Sequence, residues 1–305
     1  MKNSPARDGL PGAFTIAITD SGLGGLLICA ELERRLRETG GPGAVRLVYV
    51  NAWPDARYGY NDLPDLPARA VVFDRALNAM TAFRPDLVLI ACNTLSVVYE
   101  TTAFSRAPAI PVKGILEAGT ALFHEALSRD PDGVLVLFGT RTTIGSGEHV
   151  RRLVALGIDP RRLVAEPCHG LAAAIDMDPD SPDVAGLVDA CVLRALPRVP
   201  PAGTLYAGLA CTHYVYVGEV FESSLARHGG AKVVALDPGL KLLDGLMDGL
   251  PPRANGRGER NIAVEVVSKV ELSEGQRRAV ARRLGLVSPG TARALLQYRH
   301  VPDLF

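Results

Sequence analysis

Two cysteines stand in matching surroundings. Leu87-Val88-Leu89-Ile90-Ala91-Cys92-Asn93-Thr94 and Leu205-Tyr206-Ala207-Gly208-Leu209-Ala210-Cys211-Thr212-His213 are both apolar runs ending in Ala-Cys and small polar residues. The cysteines are 119 residues apart (92 to 211), near the length of one domain. A thiol at a strand end, just before a helix, sits where its pKa tends to fall, and the thiolate is the reactive form. A single cysteine of this kind is most often a small buried hydrophobe; two in matching contexts weaken that reading. Cys29 and Cys191 fit the apolar sides of helices and read as core. Cys168, beside His169, has no evident twin.

His213 lies two residues past Cys211 and is the best placed of the six histidines to carry a proton near neutral pH. His124, His149, His228 and His300 read as surface or packing residues. A metal is not implied, because Cys-x-His lacks four-ligand spacing and no H-E-x-x-H occurs. Asp20-Ser21-Gly22-Leu23-Gly24-Gly25-Leu26 joins an apolar run to a helical pattern. Its glycines allow close backbone approach, and a helix amino terminus favours an anion. A dinucleotide fingerprint needs glycine at 27, where Leu27 stands; a capped Gly-rich turn is the plainer alternative. Phe138-Gly139-Thr140-Arg141-Thr142-Thr143 is a second small-polar turn after an apolar run. Arg57-Tyr58-Gly59-Tyr60-Asn61 follows another and is placed to close over a ligand or to pack as a surface turn.

The elements that must position these residues alternate. Strands are expected at Phe14–Thr19, Arg46–Asn51, Leu87–Cys92, Val112–Leu116, Val134–Phe138, Leu163–Glu166, Leu205–Ala210, Val233–Leu236 and Val264–Val267. Most are continuous Val/Ile/Leu runs, which suits strands buried on both faces. Helical patterns lie between them, at Leu26–Arg37, Arg69–Ala82, Leu95–Ser105, Ala121–Ser128, Val150–Leu156, Pro182–Leu196 and Glu219–Arg227, with more at Glu274–Leu284 and Thr291–Gln297. The alternation means parallel sheets with crossover helices, whose ligands bind at the carboxyl ends of strands. Met1–Gly12 reads as a loose tail, and Pro251–Arg260 as an exposed loop.

The 305 residues suit about two domains. The 33 basic and 33 acidic residues cancel, which argues against a general binder of nucleic acid or membrane surface. Five cysteines in no close framework argue against a disulfide-stapled secreted module. No signal peptide or membrane-spanning run is evident, so a cytoplasmic location is expected.

Together these motifs resemble the aspartate/glutamate racemase superfamily, glutamate racemases above all, over roughly residues 14 to 240. Asp20 to Leu26 is similar to the family's D-S-G-x-G-G-L, Ala91 to Thr94 to its A-C-N-T, Cys211 to Tyr214 to its C-T-H-Y, and Gly139 to Thr143 to its G-T-x-x-T. Departures cluster elsewhere. Gly59 and Asn61 replace Pro and Gly of A-R-F-P-Y-G, unless a shifted register matches Tyr58-Gly59 to its Tyr-Gly; Cys168-His169 replaces a Cys-Pro, Asp176 stands where a Glu is usual, and Val215 stands for a Pro.

The resemblance implies an α/β fold of two pseudo-symmetric lobes, each a mainly parallel sheet flanked by helices, with the active site at their interface. Residues 1–13 would form a flexible tail, 14–104 with 215–305 the first lobe, and 105–214 the second. It implies a cofactor-independent amino-acid racemase that inverts the α-carbon of glutamate, serving D-amino-acid supply to peptidoglycan. Aspartate or hydantoin racemisation, a homologue that binds amino acids without turnover, and a Cys211–His213 hydrolase are the alternatives. By resemblance Cys92 and Cys211 are the acid/base pair, assisted by Asp20 on one side and by His213 and Asp176 on the other. Ser21, Asn93, Thr94, Thr140, Thr143 and Thr212 would hold the ammonium and α-carboxylate, and Tyr58, Gly59, Tyr60 and Asn61 the side-chain carboxylate. The resemblance implies no cofactor, and none of the five lysines sits in a Schiff-base context that would call for a pyridoxal group. The partner implied is a small-molecule amino acid, with no nucleic acid and no membrane; a homodimer is compatible with the resemblance.

Overall fold

The computed structural model describes residues 12–39, 43–251 and 261–305. The expected tail therefore lies almost wholly outside the described residues, as does the expected loop from 252 onward. Among the described residues there are ten strands: β1 (Phe14–Asp20), β2 (Ala44–Asn51), β3 (Leu87–Ile90), β4 (Val112–Gly114), β5 (Val134–Gly139), β6 (Leu163–Pro167), β7 (Thr204–Ala210), β8 (Lys232–Leu236), β9 (Asn261–Ser268) and β10 (Arg299–His300). They form two sheets, ordered β10-β9-β2-β1-β3-β4 and β6-β5-β7-β8. Every pairing is parallel. Residues such as Ile16, Val48, Leu89 and Val136 are fully buried, because helices cover both faces and leave a parallel strand no wet side.

Counted within each sheet, β2-β1-β3-β4 and β6-β5-β7-β8 share one order: second, first, third, fourth. The cysteines follow the third strand of each. In this order the switch point, where ligands bind, falls between the first and third strands. The two switch-point clefts are therefore built by Asp20 with Cys92 and by Gly139-Thr140 with Cys211.

The crossover helices are α1 (Leu26–Thr39), α2 (Leu66–Met80), α3 (Asn93–Tyr99), α4 (Ile115–Arg129), α5 (Arg141–Ser146), α6 (Glu148–Ala155), α7 (Leu171–Met177), α8 (Pro182–Ala195), α9 (Gly218–Gly229), α10 (Pro238–Met247), α11 (Glu274–Gly285) and α12 (Pro289–Leu296). Side chains cap several starts: Asp65 accepts from Ala68 N, Thr140 from Thr143 N, and Ser273 from Gln276 N. Each satisfies one of the backbone donors a helix leaves unpaired. The pattern expected at Leu95–Ser105 ends early, at Tyr99.

The strand memberships put both lobe seams later in the chain than 105 and 214, the first between β4 and β5 and the second after β8. Val112–Gly114 pairs with β3 in the first sheet, and Lys232–Leu236 pairs with β7 in the second. The reason is topological. Each cysteine marks a strand end facing the cleft, and the chain lays down one further strand before crossing to the other sheet. Among the described residues no helix is long and apolar enough to cross a membrane.

Candidate active site

Both cysteines cap helical starts, Cys92 before α3 and Cys211 before the short 3-10 helix Thr212–Val217. Both are free thiols, each 6% exposed. They line one cavity of about 440 Å³ that draws on the carboxyl ends of both sheets. A smaller, mostly apolar cavity of about 160 Å³ lies between α1 and α10 and holds no thiol.

On one side, Ser21 Oγ lies 3.3 Å from Cys92 Sγ, and Asp20 is wholly buried beside it. Burial, then the charge of Asp20, pushes the Cys92 thiol well above its ordinary pKa. The Ser21 hydroxyl and the Leu95 and Ser21 amides oppose this by favouring the thiolate. On the other side, His213 Nδ1 lies 3.7 Å from Cys211 Sγ, and His213 Nε2 lies 2.8 Å from Asp176 Oδ1. Burial alone would lower the His213 pKa, but Asp176 and Cys211 outweigh it and hold the ring's pKa well above the usual value.

The two lobes are tied together at this point. Thr212 Oγ1 donates to Asp20 Oδ2 at 2.6 Å, and the Leu23 amide donates to Asp176 Oδ1 at 2.8 Å. Asp176 Oδ2 accepts from Gln276 Nε2 at 2.7 Å. Ser273 fixes the start of α11, and Gln276 falls in that first turn. The glycines of the first turn serve close approach. A Cβ on Gly24 would stand 2.4 Å from Thr212 Oγ1 and 2.6 Å from His213 Nδ1. The Tyr49 hydroxyl holds Gly22 O at 2.6 Å, and Tyr216, from the second lobe, donates to Leu23 O at 3.3 Å.

Thr94 Oγ1 meets Thr140 Oγ1 at 2.8 Å and Thr143 Oγ1 at 3.1 Å, so the A-C-N-T and G-T-x-x-T turns share a hydroxyl cluster. Ser21, Gly59, Asn61, Asn93, Thr94, Thr140 and Thr212 line the cavity; Thr143, Tyr58 and Tyr60 do not. Thr143 sits behind Thr94. Tyr58 is exposed, and Tyr60 is buried edge-on against Phe73, with ring centroids 6.3 Å apart. The turn takes this course because Gly59 lies against the Trp53 ring, 2.7 Å from where a Cβ would be. Asn61 Oδ1 accepts from Thr142 Oγ1 at 2.7 Å, which joins this turn to the second lobe.

The cavity also has lining residues that the sequence did not single out as site residues: Trp53, Asp62, Arg141, His169, Glu271 and Gln276. Arg141 lay inside a flagged turn and His169 beside a flagged cysteine. Nothing in the spacing marks Gln276, which is brought 100 residues back in sequence to Asp176. His149, expected at the surface or in packing, is fully buried and bonded to Asn93. Among the described residues no group of three or more His, Cys, Asp or Glu could hold a metal ion.

Two switch-point clefts of an α/β fold share one cavity, and each brings a thiol to it. The chain belongs to the Asp/Glu/hydantoin racemase family, whose model matches residues 22–244. A glutamate racemase from a Ruegeria species is 31% identical over 81% of this chain and 89% of its own length. One from Desulforudis audaxviator is 27% identical over 73% and 74%. The crystal structure of glutamate racemase isoform RacE1 from Bacillus anthracis superposes with a TM-score of 0.69 at 20% identity, covering 92% of this chain and 96% of that one.

Proposed function

We propose that this protein racemises glutamate without a cofactor, by proton transfer between the α-carbon and Cys92 and Cys211. The supporting observation is that one cavity receives a thiol from the end of the third strand of each of two like-ordered sheets. Inversion needs this: a thiolate on one face takes the α-proton, and a thiol on the other face returns a different one. Each turnover leaves the protonation of the two sulfurs exchanged, and the reverse reaction or solvent exchange restores it. Burial and Asp20 keep Cys92 as the thiol in the free protein. The His213 imidazolium, held by Asp176, supplies a positive charge and a proton beside Cys211 Sγ. The Cα–H is weakly acidic, so the carbanion must form in a water-poor site whose dipoles are already oriented.

Glutamate is favoured over a neutral amino acid by Arg141. It lines the cavity, shares a 3.3 Å contact with His169 Nε2, and has no carboxylate partner among the described residues. The D-glutamate formed would serve peptidoglycan assembly in the cytoplasm.

The test is α-proton exchange in D₂O with single enantiomers of glutamate and aspartate, followed by NMR and polarimetry. Glutamate is expected to exchange and invert, and exhaustive dialysis against EDTA to leave the rate unchanged. Exchange on no amino acid overturns the reading, and tight binding without exchange marks a binding protein instead.

A further inference from the structure

Asn93 is the residue after Cys92. Asn93 lines the cavity and is 1% exposed. Its Oδ1 lies 3.0 Å from His149 Nε2, whereas its Nδ2 has no partner. His149 projects from α6 and is equally buried, with its ring tilted 60° to Phe123 at 5.6 Å between centroids. A Cβ on Gly119 would stand 3.2 Å from His149 Cε1, so α4 closes the far side of the ring. His149 Nδ1 also lacks a partner. Burial, then the charge of Arg152, lowers the His149 pKa to about 4, so the ring is neutral at physiological pH.

A neutral imidazole has one N–H, which leaves two arrangements of this pair. In the first, Nε2–H donates to Asn93 Oδ1. The bare lone pair of Nδ1 stays in the apolar pocket, and the amide N–H₂ of Asn93, buried and unpaired, is left for a further acceptor. In the second, the amide is turned over and donates to Nε2. A proton then sits on Nδ1 against Phe123 and α4 with no acceptor, and Oδ1 is the unpaired atom of the amide. The second arrangement buries its orphan donor against Phe123 and α4, where no ligand reaches, whereas the first leaves its orphan donor on a residue that lines the cavity, where a bound ligand can supply the acceptor, so the first arrangement prevails.

We propose that His149 is a positioning residue: its Nε2–H holds Asn93 Oδ1 so that the Asn93 N–H₂ is presented to the substrate's α-carboxylate. The carboxylate is chosen because a pure donor pair suits it and repels an ammonium. It must be the α-carboxylate because Asn93 adjoins Cys92, whose sulfur has to reach Cα. The assignment of the ligand group rests on the racemase reading; the orientation of the amide does not.

The orientation is tested on the full chain labelled with ¹⁵N-histidine, by long-range ¹H–¹⁵N correlation. The expected spectrum shows His149 neutral and protonated at Nε2 from pH 8 to pH 5. Protonation at Nδ1 overturns the proposal, whatever the protein's activity. The ligand is tested by substitution. His149→Leu is expected to raise KM for glutamate about ten- to hundredfold with a smaller change in kcat, the mark of a contact made equally in ground and transition states. His149→Gln, which keeps an N–H donor, is expected to restore most of it. In an Asn93→Ala background His149→Leu should add nothing further. Independent, multiplying effects overturn the positioning role, as does a His149→Leu protein with lowered Tm and unchanged KM. Should no α-proton exchange occur at all, calorimetric binding of glutamate to the same four proteins reads the contact separately.

Discussion

Burial and the Asp20 carboxylate both disfavour a thiolate at Cys92, and only a hydroxyl and two amides oppose them. The α-ammonium of a bound amino acid would add the missing positive charge, so ionisation of Cys92 is expected to couple to substrate binding. Cys92→Ser and Cys211→Ser should each lower α-proton exchange by at least about 10²-fold, because a serine hydroxyl is a far poorer proton acceptor at neutral pH; deuterium wash-in measures it. Across the cavity, His213 owes its proton to Asp176. Asp176→Asn should let the burial of His213 dominate and drop its pKa, turning an imidazolium at pH 7 into a neutral ring in the ¹⁵N spectrum. Asn keeps an acceptor for the Leu23 amide, so loss of the charge can be read apart from loss of the fold.

At the scale of elements, the turn between β1 and α1 is held in close contact with the second lobe. Gly24→Ala would drive a methyl into Thr212 and the His213 backbone, where a Cβ would lie 2.7 Å from His213 N. It should cost about 1–3 kcal/mol, seen as a lower Tm, and should reduce exchange further by displacing His213. Gly186 offers the control. It lies exposed inside α8 with nothing within 4 Å of a Cβ, so Gly186→Ala should stabilise by about 0.4–1 kcal/mol and leave exchange unchanged. The strands were legible because most are buried Val/Ile/Leu runs whose pattern has no other use, and the cysteine echo survives because each copy is only a few residues long. The helix α7 was missed, although it carries Asp176: seven residues are too few to show a 3.6-residue period. The directions of the Tyr58 and Tyr60 side chains were not legible for a different reason, since they depend on the Trp53 ring beneath Gly59 and not on the turn's own letters. Gln276 and the His149–Asn93 bond were invisible because both partners are set by packing between distant segments.

At the scale of the molecule, several protons are held by burial. Cys29 is pushed up to about 12 by burial and then by Glu33, and Cys92 and Cys168 are also raised, burial being the first cause in each. In the unfolded chain these thiols ionise near about 8.5. Above that pH the unfolded state binds fewer protons than the folded one, so stability should fall progressively toward pH 12; urea midpoints from pH 7 to 10.5 would register the start of the decline. The acid side rests partly on Glu33, wholly buried between α1 and α12. Burial there would raise its pKa, but hydrogen bonds from Ser288, Arg37 and Thr291 pull it below the usual range. Its contribution is present above about pH 4.3 and is lost as pH falls through the depressed value. Glu33→Gln should therefore flatten the acid limb of the stability profile.

The first sheet is sewn together from both ends of the chain: β9 lies along β2 for eight residues, from Ala44↔Asn261 to Asn51↔Ser268. A ribosome delivers β1 to β4 long before it delivers β9. The second sheet's four strands, all between 134 and 236, emerge as one uninterrupted stretch. The nascent polypeptide can thus complete its middle portion while its leading portion still waits with β2 as a bare rim. Stalled chains released before residue 261 should be protected from protease in the middle portion and cut readily in the leading one.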